Sequence, residues 1–142
     1  MSTIDGYRLA VPIVPRFRDT DAMGHLNNAV YVTYFEVARA AYWLALTGDT
    51  NYQRVPFILA HTTIDFRSPA FVSETLEVGI RIARVGTKSF TFEYRIEEQA
   101  TRRLVCDGRS VQVVFDYESG ESRPVPDELR AALRKFENRP DL

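Results

Sequence analysis

Between Ala29 and about Thr47 the apolar residues recur at intervals of three and four. Tyr31, Tyr34, Phe35, Ala38, Ala41, Tyr42 and Ala45 form one wide stripe. That period predicts a helix with one buried face, and Gly48 is a natural stop. The stripe is aromatic and small rather than leucine-rich, which suits close packing against a curved sheet. Further along, the period drops to two. Leu76, Val78, Ile80 and Ile82 alternate through Thr75–Val85, and Phe90, Phe92, Tyr94 and Ile96 alternate through Thr87–Ile96. These are two strands joined in a hairpin around Gly86. Phe57–Arg67, stopped by Ser68 and Pro69, is a third.

Two further segments read as extended with a flaw. Leu9–Phe17 carries Pro12 and Pro15. Proline lacks the ladder donor, so this strand belongs at a sheet edge or carries an irregularity. The last long strand runs from about Thr101 to Phe115, and its apolar phase changes from Leu104 and Cys106 to Val111, Val113 and Phe115. A β-bulge near Gly108 accounts for that slip and is the preferred reading. The alternative, a hairpin turn at Asp107-Gly108, would leave two very short strands.

The order is therefore strand, long helix, about four strands, and a short amphipathic helix in PVPDELRAALRKF. Adjacent antiparallel strands need an apolar partner on one face, and only the long helix is large enough to supply it. The expected class is α+β, a curved antiparallel sheet of about five strands wrapped around one long helix. Unpaired sheet edges make a dimer a natural way to hide them.

A length of 142 residues fits one domain over 1–142. With 45% hydrophobic and 26% charged residues, the composition is that of a globular chain rather than a disordered or membrane one. A net charge of -1 gives no case for nucleic acid as a partner. Cys106 is the lone cysteine, in the apolar run LVCDG, and reads as a small buried filler. One cysteine and two histidines argue against a structural zinc site. The first residues show no apolar stretch behind a basic head, and no segment has the length of a membrane span, so the cytoplasm is the expected location.

The densest polar cluster is Asp19, Asp21, His25, Asn27 and Asn28, just ahead of the aromatic helix. Backbone N–H groups in a first helical turn lack intrahelical partners and can hold negative charge, including a developing oxyanion. A carboxylate beside them can attack an activated acyl carbon or orient water for that attack. The same residues would also serve to stabilise a loop, and the cluster by itself does not decide between these readings. No G-x-S-x-G elbow, H-E-x-x-H, EF-hand or P-loop pattern is present.

The run RFRDTDAMGHLNNAVYVTYFEVARAAYW, Arg16 to Trp43, resembles the signature of the hotdog-fold acyl-CoA thioesterases of the 4-hydroxybenzoyl-CoA thioesterase type. That group includes bacterial long-chain acyl-CoA thioesterases and the thioesterase associated with the Tol–Pal cell-envelope genes. Its form is D-x-x-G-H-x-N-N, a tyrosine, and E-x-x-R on the helix. Asp21, Gly24, His25, Asn27, Asn28, Tyr31, Glu36 and Arg39 match it, and HTTIDFRSPAF and IARVGTKSFTFEY resemble later family segments. The resemblance covers roughly residues 8 to 136; it is specific for the family and weak for the acyl group.

The resemblance implies hydrolysis of acyl-CoA to a free acid and coenzyme A. Asp21 falls on the family's catalytic aspartate, as nucleophile or general base. It also implies that N–H groups around Asn27–Ala29 polarise the thioester carbonyl while His25, Asn27 and Asn28 position loop, substrate or water. Tyr31, Tyr34, Phe35 and His61 are candidates for the acyl pocket, His61 alternatively being a buried structural residue. Arg67, Arg84, Lys88 and Ser89 are candidates for coenzyme A phosphates. Glu36 is expected to be structural, pairing with Arg39 or supporting an opposing subunit. No metal or organic cofactor is implied beyond coenzyme A as part of the substrate. Hotdog subunits pair edge to edge, so a homodimer or a dimer-of-dimers homotetramer is expected. An acyl-carrier-protein thioesterase and a non-catalytic acyl-binding protein remain the alternatives.

Overall fold

In the computed structural model, which describes residues 3–142, the alternating segments form one antiparallel sheet. Its strands are β1 (Leu9–Ile13), β2 (Phe57–Phe66), β3 (Leu76–Val85), β4 (Ser89–Glu98) and β5 (Leu104–Asp116), in the order β1-β3-β4-β5-β2. A two-residue strand, β6 (Glu121–Ser122), pairs with the end of β5. The long helix α1 (Val30–Thr47) lies on one face, and Gly48 ends it in the left-handed conformation at φ 73°. A second helix, α2 (Asp127–Glu137), closes one end through Leu133, with Leu129 and Phe136 packed beside it. This is the hotdog arrangement.

The inner faces of β3 and β4 are the two alternating sets read from the sequence. Leu76, Val78, Ile80, Ile82, Phe90, Phe92, Tyr94 and Ile96 are all buried. Phe35 of α1 stacks on Tyr94 with ring centroids 4.0 Å apart and planes 9° apart. Burial of several such side chains supplies the main drive for folding, at about 1.5–3 kcal/mol each. Pro12 sits in β1, which pairs only with β3 and is one edge of the sheet, as its proline requires.

Strand β5 corrects two expectations. It is continuous, as the preferred reading has it, but the register is regular through Gly108, which pairs with Tyr94 and Ile64. The irregularity lies at Val105, where Cys106 and Leu104 face the consecutive residues Ile96 and Glu97. Beyond it the buried positions are Ser110, Gln112 and Val114, while Val111, Val113 and Phe115 face the other way. The apolar residues had suggested the opposite face. Polar burial is tolerated because each inward group is bonded: Tyr94 Oη and Ser110 Oγ are 2.5 Å apart, and Ser110 Oγ donates to Gln112 Oε1. Gln112 Nε2 in turn donates to the carbonyls of Phe90 and Ser110.

Strand β2 is the opposite edge and among the described residues pairs only with β5, which leaves one side of a ten-residue strand free. Its register shifts between Leu59 and His61, so the inward set runs Phe57, Leu59, then Thr62, Ile64 and Phe66.

Candidate active site

The loop ahead of α1 is shaped by Asp21. The Asp21 amide donates to the His25 carbonyl at 2.7 Å, and the Gly24 amide donates back to the Asp21 carbonyl at 3.1 Å. Gly24 holds φ at 81°, a left-handed turn that a side chain would strain. Asp21 Oδ1 accepts the amides of Met23 and His25 at 2.8 and 3.2 Å. Its second oxygen, Oδ2, takes no hydrogen bond among the described residues, so one oxygen builds the loop and the other is available for chemistry.

The loop is pinned at three further points. The Leu26 amide donates to the Ala70 carbonyl at 2.8 Å, tying it to the segment after β2. The Asn27 amide donates to the Asp19 carbonyl at 2.8 Å. Asp19, although it belongs to the polar cluster, is a structural carboxylate. It is buried and accepts the Arg16 amide and guanidinium, both at 3.0 Å, and the Tyr34 hydroxyl at 2.9 Å. Burial alone would raise its pKa, but those donors together hold it below the usual carboxylate value.

Asp21, His25 and Asn28 converge with Tyr31, Phe66 and Arg67 on one cavity of about 360 Å³. Phe66 and Arg67, at the end of β2, form its opposite wall. The His25 ring meets Phe71 edge-on with centroids 5.3 Å apart, which fixes its plane. Tyr31 is buried beside the cavity, and burial pushes its phenol up to about 12, so it stays a neutral hydroxyl.

The predicted oxyanion region needs adjustment. Asn27 Oδ1 accepts the Ala29 amide at 2.9 Å, and the Asn27 carbonyl accepts the Val30 amide. Ala29 N–H is therefore engaged within the loop. Asn28 N–H has no partner among the described residues, and Asn28 lines the cavity. Asn27 shapes the helix start, whereas Asn28 faces the site.

Other predicted residues do not converge. Tyr34 and Phe35 are core residues, one bonded to Asp19 and the other stacked on Tyr94. His61 neither lines this cavity nor is buried; the shift at Ala60 turns it to the outer face of the free edge, opposite Val111. Arg67 borders the cavity but already faces Asp107 at 3.3 Å and Asp65 at 3.7 Å. Arg84, Lys88 and Ser89 sit at the β3–β4 hairpin, the end of the sheet opposite Asp21. The intervening strands are ten residues long, about 30 Å at roughly 3.3 Å per residue. Glu36 and Arg39 form no ion pair among the described residues, although both border a second cavity beside β2. Cys106 is fully buried, and burial pushes its thiol up to about 12, as a filler requires.

The wall formed by Phe66, Ser68 and Pro69 was not singled out from sequence. Its signal was the strand-stopping Ser68-Pro69 pair, which ends β2 beside Asp21. No group of three or more His, Cys, Asp or Glu side chains that could hold a metal ion occurs among the described residues. No helix among them is long and apolar enough to cross a membrane.

Similarity to known proteins agrees with this geometry. A thioesterase from Thermus thermophilus, whose crystal structure is complexed with coenzyme A and Zn, superposes with a TM-score of 0.88 at 29% identity. That match covers 96% of this chain and 99% of the Thermus chain. The long-chain acyl-CoA thioesterase FadM of Escherichia coli K12 is 25% identical over 121 residues, 82% of this chain and 89% of its own. The acyl-CoA thioesterase YbgC of Haemophilus influenzae is 28% identical over 128 residues, 86% of this chain and 91% of its own. The model of the thioesterase-like superfamily matches residues 15–133, which take in the Asp21 loop, α1 and the entire sheet beyond β1, and the chain belongs to that superfamily.

Proposed function

We propose that this chain hydrolyses acyl-CoA thioesters to the free carboxylic acid and coenzyme A, with Asp21 as the catalytic carboxylate. The observation that carries the reading is the division of labour at Asp21. Oδ1 is fixed by two amides, and Oδ2 is left unbonded on a cavity that Asn28 shares. A thioester carbonyl seated there meets the Asn28 N–H as its oxyanion donor. Asp21 either takes the proton of an attacking water or attacks the carbonyl carbon itself. In both routes the C–S bond breaks and the sulfur leaves as coenzyme A thiol. By the second route an anhydride with Asp21 forms first and water then opens it.

The active unit we propose is a homodimer built on the free edge of β2. A two-fold axis there sets the hairpin end of one sheet beside the Asp21 end of the other. Arg84, Lys88 and Ser89 of the second copy then approach the mouth of a cavity that they cannot reach in their own chain. A dimer of such dimers is compatible with the same contact.

The test is thiol release from short, long and aromatic acyl-CoAs, with Asp21→Asn beside the parent. The amide keeps an acceptor for Met23 and His25 and removes the base. Turnover of one substrate class that falls by about 10²-fold or more, in a variant of unchanged fold and assembly, supports the reading. Absence of release by the parent moves the weight to a carrier-protein substrate or a binding role. Turnover in ¹⁸O water, with the label sought on Asp21, separates nucleophile from base.

A further inference from the structure

Arg39 is the one buried cation among the described residues, 5% exposed. Among the described residues its guanidinium makes one hydrogen bond, Nη1 to the Tyr94 hydroxyl at 3.0 Å, and no ion pair. The contact runs on through Ser110 to Gln112 and ends on the carbonyls of Phe90 and Ser110, with no acid along it. A buried charge without a counter-charge is costly, so the position calls for an anion. Glu36, three residues earlier on α1, has the complementary defect. It is exposed and takes no hydrogen bond or ion pair among the described residues. Both border a cavity of about 380 Å³ that opens beside Ile58 and Leu59 on the free edge of β2.

We infer that the anion for Arg39 is Glu36 of a second copy of this chain, docked across the edge of β2; the inference rests on the dimer proposed above. Helix α1 packs against β3 and β1 and reaches β2 through large side chains, running antiparallel to it. Tyr31 meets Phe66 at one end with ring centroids 5.8 Å apart, and Trp43 meets Phe57 at the other at 5.5 Å. Glu36 and Arg39 straddle the midpoint of that stretch of helix, as His61 and Thr62 straddle the midpoint of β2. A two-fold axis through the middle of β2 pairs the strand with its copy antiparallel and lays the second helix alongside, reversed. Reversal exchanges the two ends of the Glu36–Arg39 segment, so each copy's carboxylate faces the other's guanidinium, and the contact forms twice. The rim fits a desolvated pair: Tyr52, Leu59 and Tyr117 border the same cavity and are 43%, 43% and 64% exposed.

The experiment is native mass spectrometry and analytical ultracentrifugation of the full chain as parent, E36R, R39E, and an equal mixture of the two variants. The parent is expected to be dimeric or tetrameric. Each single reversal should weaken the assembly by about thirtyfold or more and drop it one level. Mixing should restore it as a heterodimer, because each variant carries the charge that the other lacks. Two folded variants that do not associate on mixing overturn the pair, because a contact within one chain gains nothing from a partner. E36R changes an exposed position, so it decides the matter should R39E not fold: an unchanged assembly constant overturns the pair while leaving the dimer intact. A monomeric parent overturns the dimer itself.

Discussion

The Tyr34 hydroxyl donates to Oδ2 of Asp19 over 2.9 Å, and this bond joins the buried face of α1 to the loop that carries Asp21. Asp19 also accepts both Arg16 donors, and its backbone carbonyl accepts the Asn27 amide, so one buried residue organises both flanks of the candidate site. Removing the phenol leaves the other donors in place. Tyr34→Phe should therefore cost about 1–2 kcal/mol of stability, read as a lower Tm in thermal unfolding. The fold should survive, and no change in Tm would mean that the bond contributes nothing net.

The same carboxylate sets an acid limit. Burial disfavours the charged form of Asp19, but the Arg16 amide, the Arg16 guanidinium and the Tyr34 hydroxyl outweigh it, and its folded pKa lies below the ordinary value. A depressed folded pKa contributes stability that is present above the unfolded pKa, about 3.9, and is lost as pH falls through the folded value. Unfolding by urea between pH 6 and pH 3 should show the parent losing stability at the acid end. Asp19→Asn should be less stable at pH 6 and flatter below pH 4; equal slopes would remove Asp19 from the account.

Gly108 is held by contact rather than by backbone conformation. A Cβ added there would lie 2.4 Å from the Thr63 carbonyl oxygen and 3.0 Å from Phe35 Cε2. The first atom is backbone of the edge strand, and the second belongs to a ring stacked on Tyr94, so neither yields cheaply. Gly108→Ala should destabilise by about 1–3 kcal/mol in urea titration and loosen β2 from β5. Hydrogen exchange should rise first across β2, whose strand partner within the described residues is β5. A neutral substitution would mean that Phe35 shifts without penalty.

These contacts show what a one-dimensional pattern can and cannot carry. The faces of β3, β4 and α1 were legible because their buried side chains are apolar and keep a fixed period. Pro12 marked its strand as an edge by lacking a donor. β5 was misread because its inner face holds Ser110 and Gln112, whose burial depends on partners from other strands. Arg39 matched the motif, but its burial against the Tyr94 hydroxyl was hidden for the same reason. The loop residues Asp21, His25 and Asn28 were legible as a cluster, but the engagement of Ala29 N–H by Asn27 is a matter of geometry. That Arg84 and Lys88 sit a full ten-residue strand away from the Asp21 end of the sheet is likewise a matter of topology rather than of spacing along the chain.

The proposed phosphate contact by the hairpin cations predicts a split between substrate binding and chemistry. Arg84 is exposed and has no ion pair among the described residues, and Lys88 reaches only Ser122 at 3.5 Å, so both charges are available to a ligand. They lie at the far end of the sheet from Asp21 of their own chain, and from a second copy they reach the mouth of the cavity rather than its reacting centre. Changing both to alanine should raise KM for acyl-CoA severalfold and leave kcat nearly unchanged. The effect should shrink as salt is added, because exposed charges are screened within about 8 Å at physiological ionic strength. Equal KM for parent and double variant would remove the hairpin from the binding surface.

The inner face of β5 yields the last prediction. Gln112 is fully buried and closes the chain that begins at Arg39: its Oε1 accepts from Ser110, and its Nε2 donates to two carbonyls. Leucine has a similar volume but no polar atom, so Gln112→Leu removes the side-chain donor to the Phe90 and Ser110 carbonyls and leaves one hydroxyl of the Tyr94–Ser110 pair without an acceptor. An unmet buried group costs about 1–3 kcal/mol, whereas the added apolar contact returns part of that. Net destabilisation of about 1–2 kcal/mol is expected in denaturant titration. Combining it with Ser110→Ala removes the stranded hydroxyl as well, so the double variant should lose less than the sum of the singles. Strict additivity would show that Ser110 and Gln112 act independently, and the chain from Arg39 would then end at Tyr94.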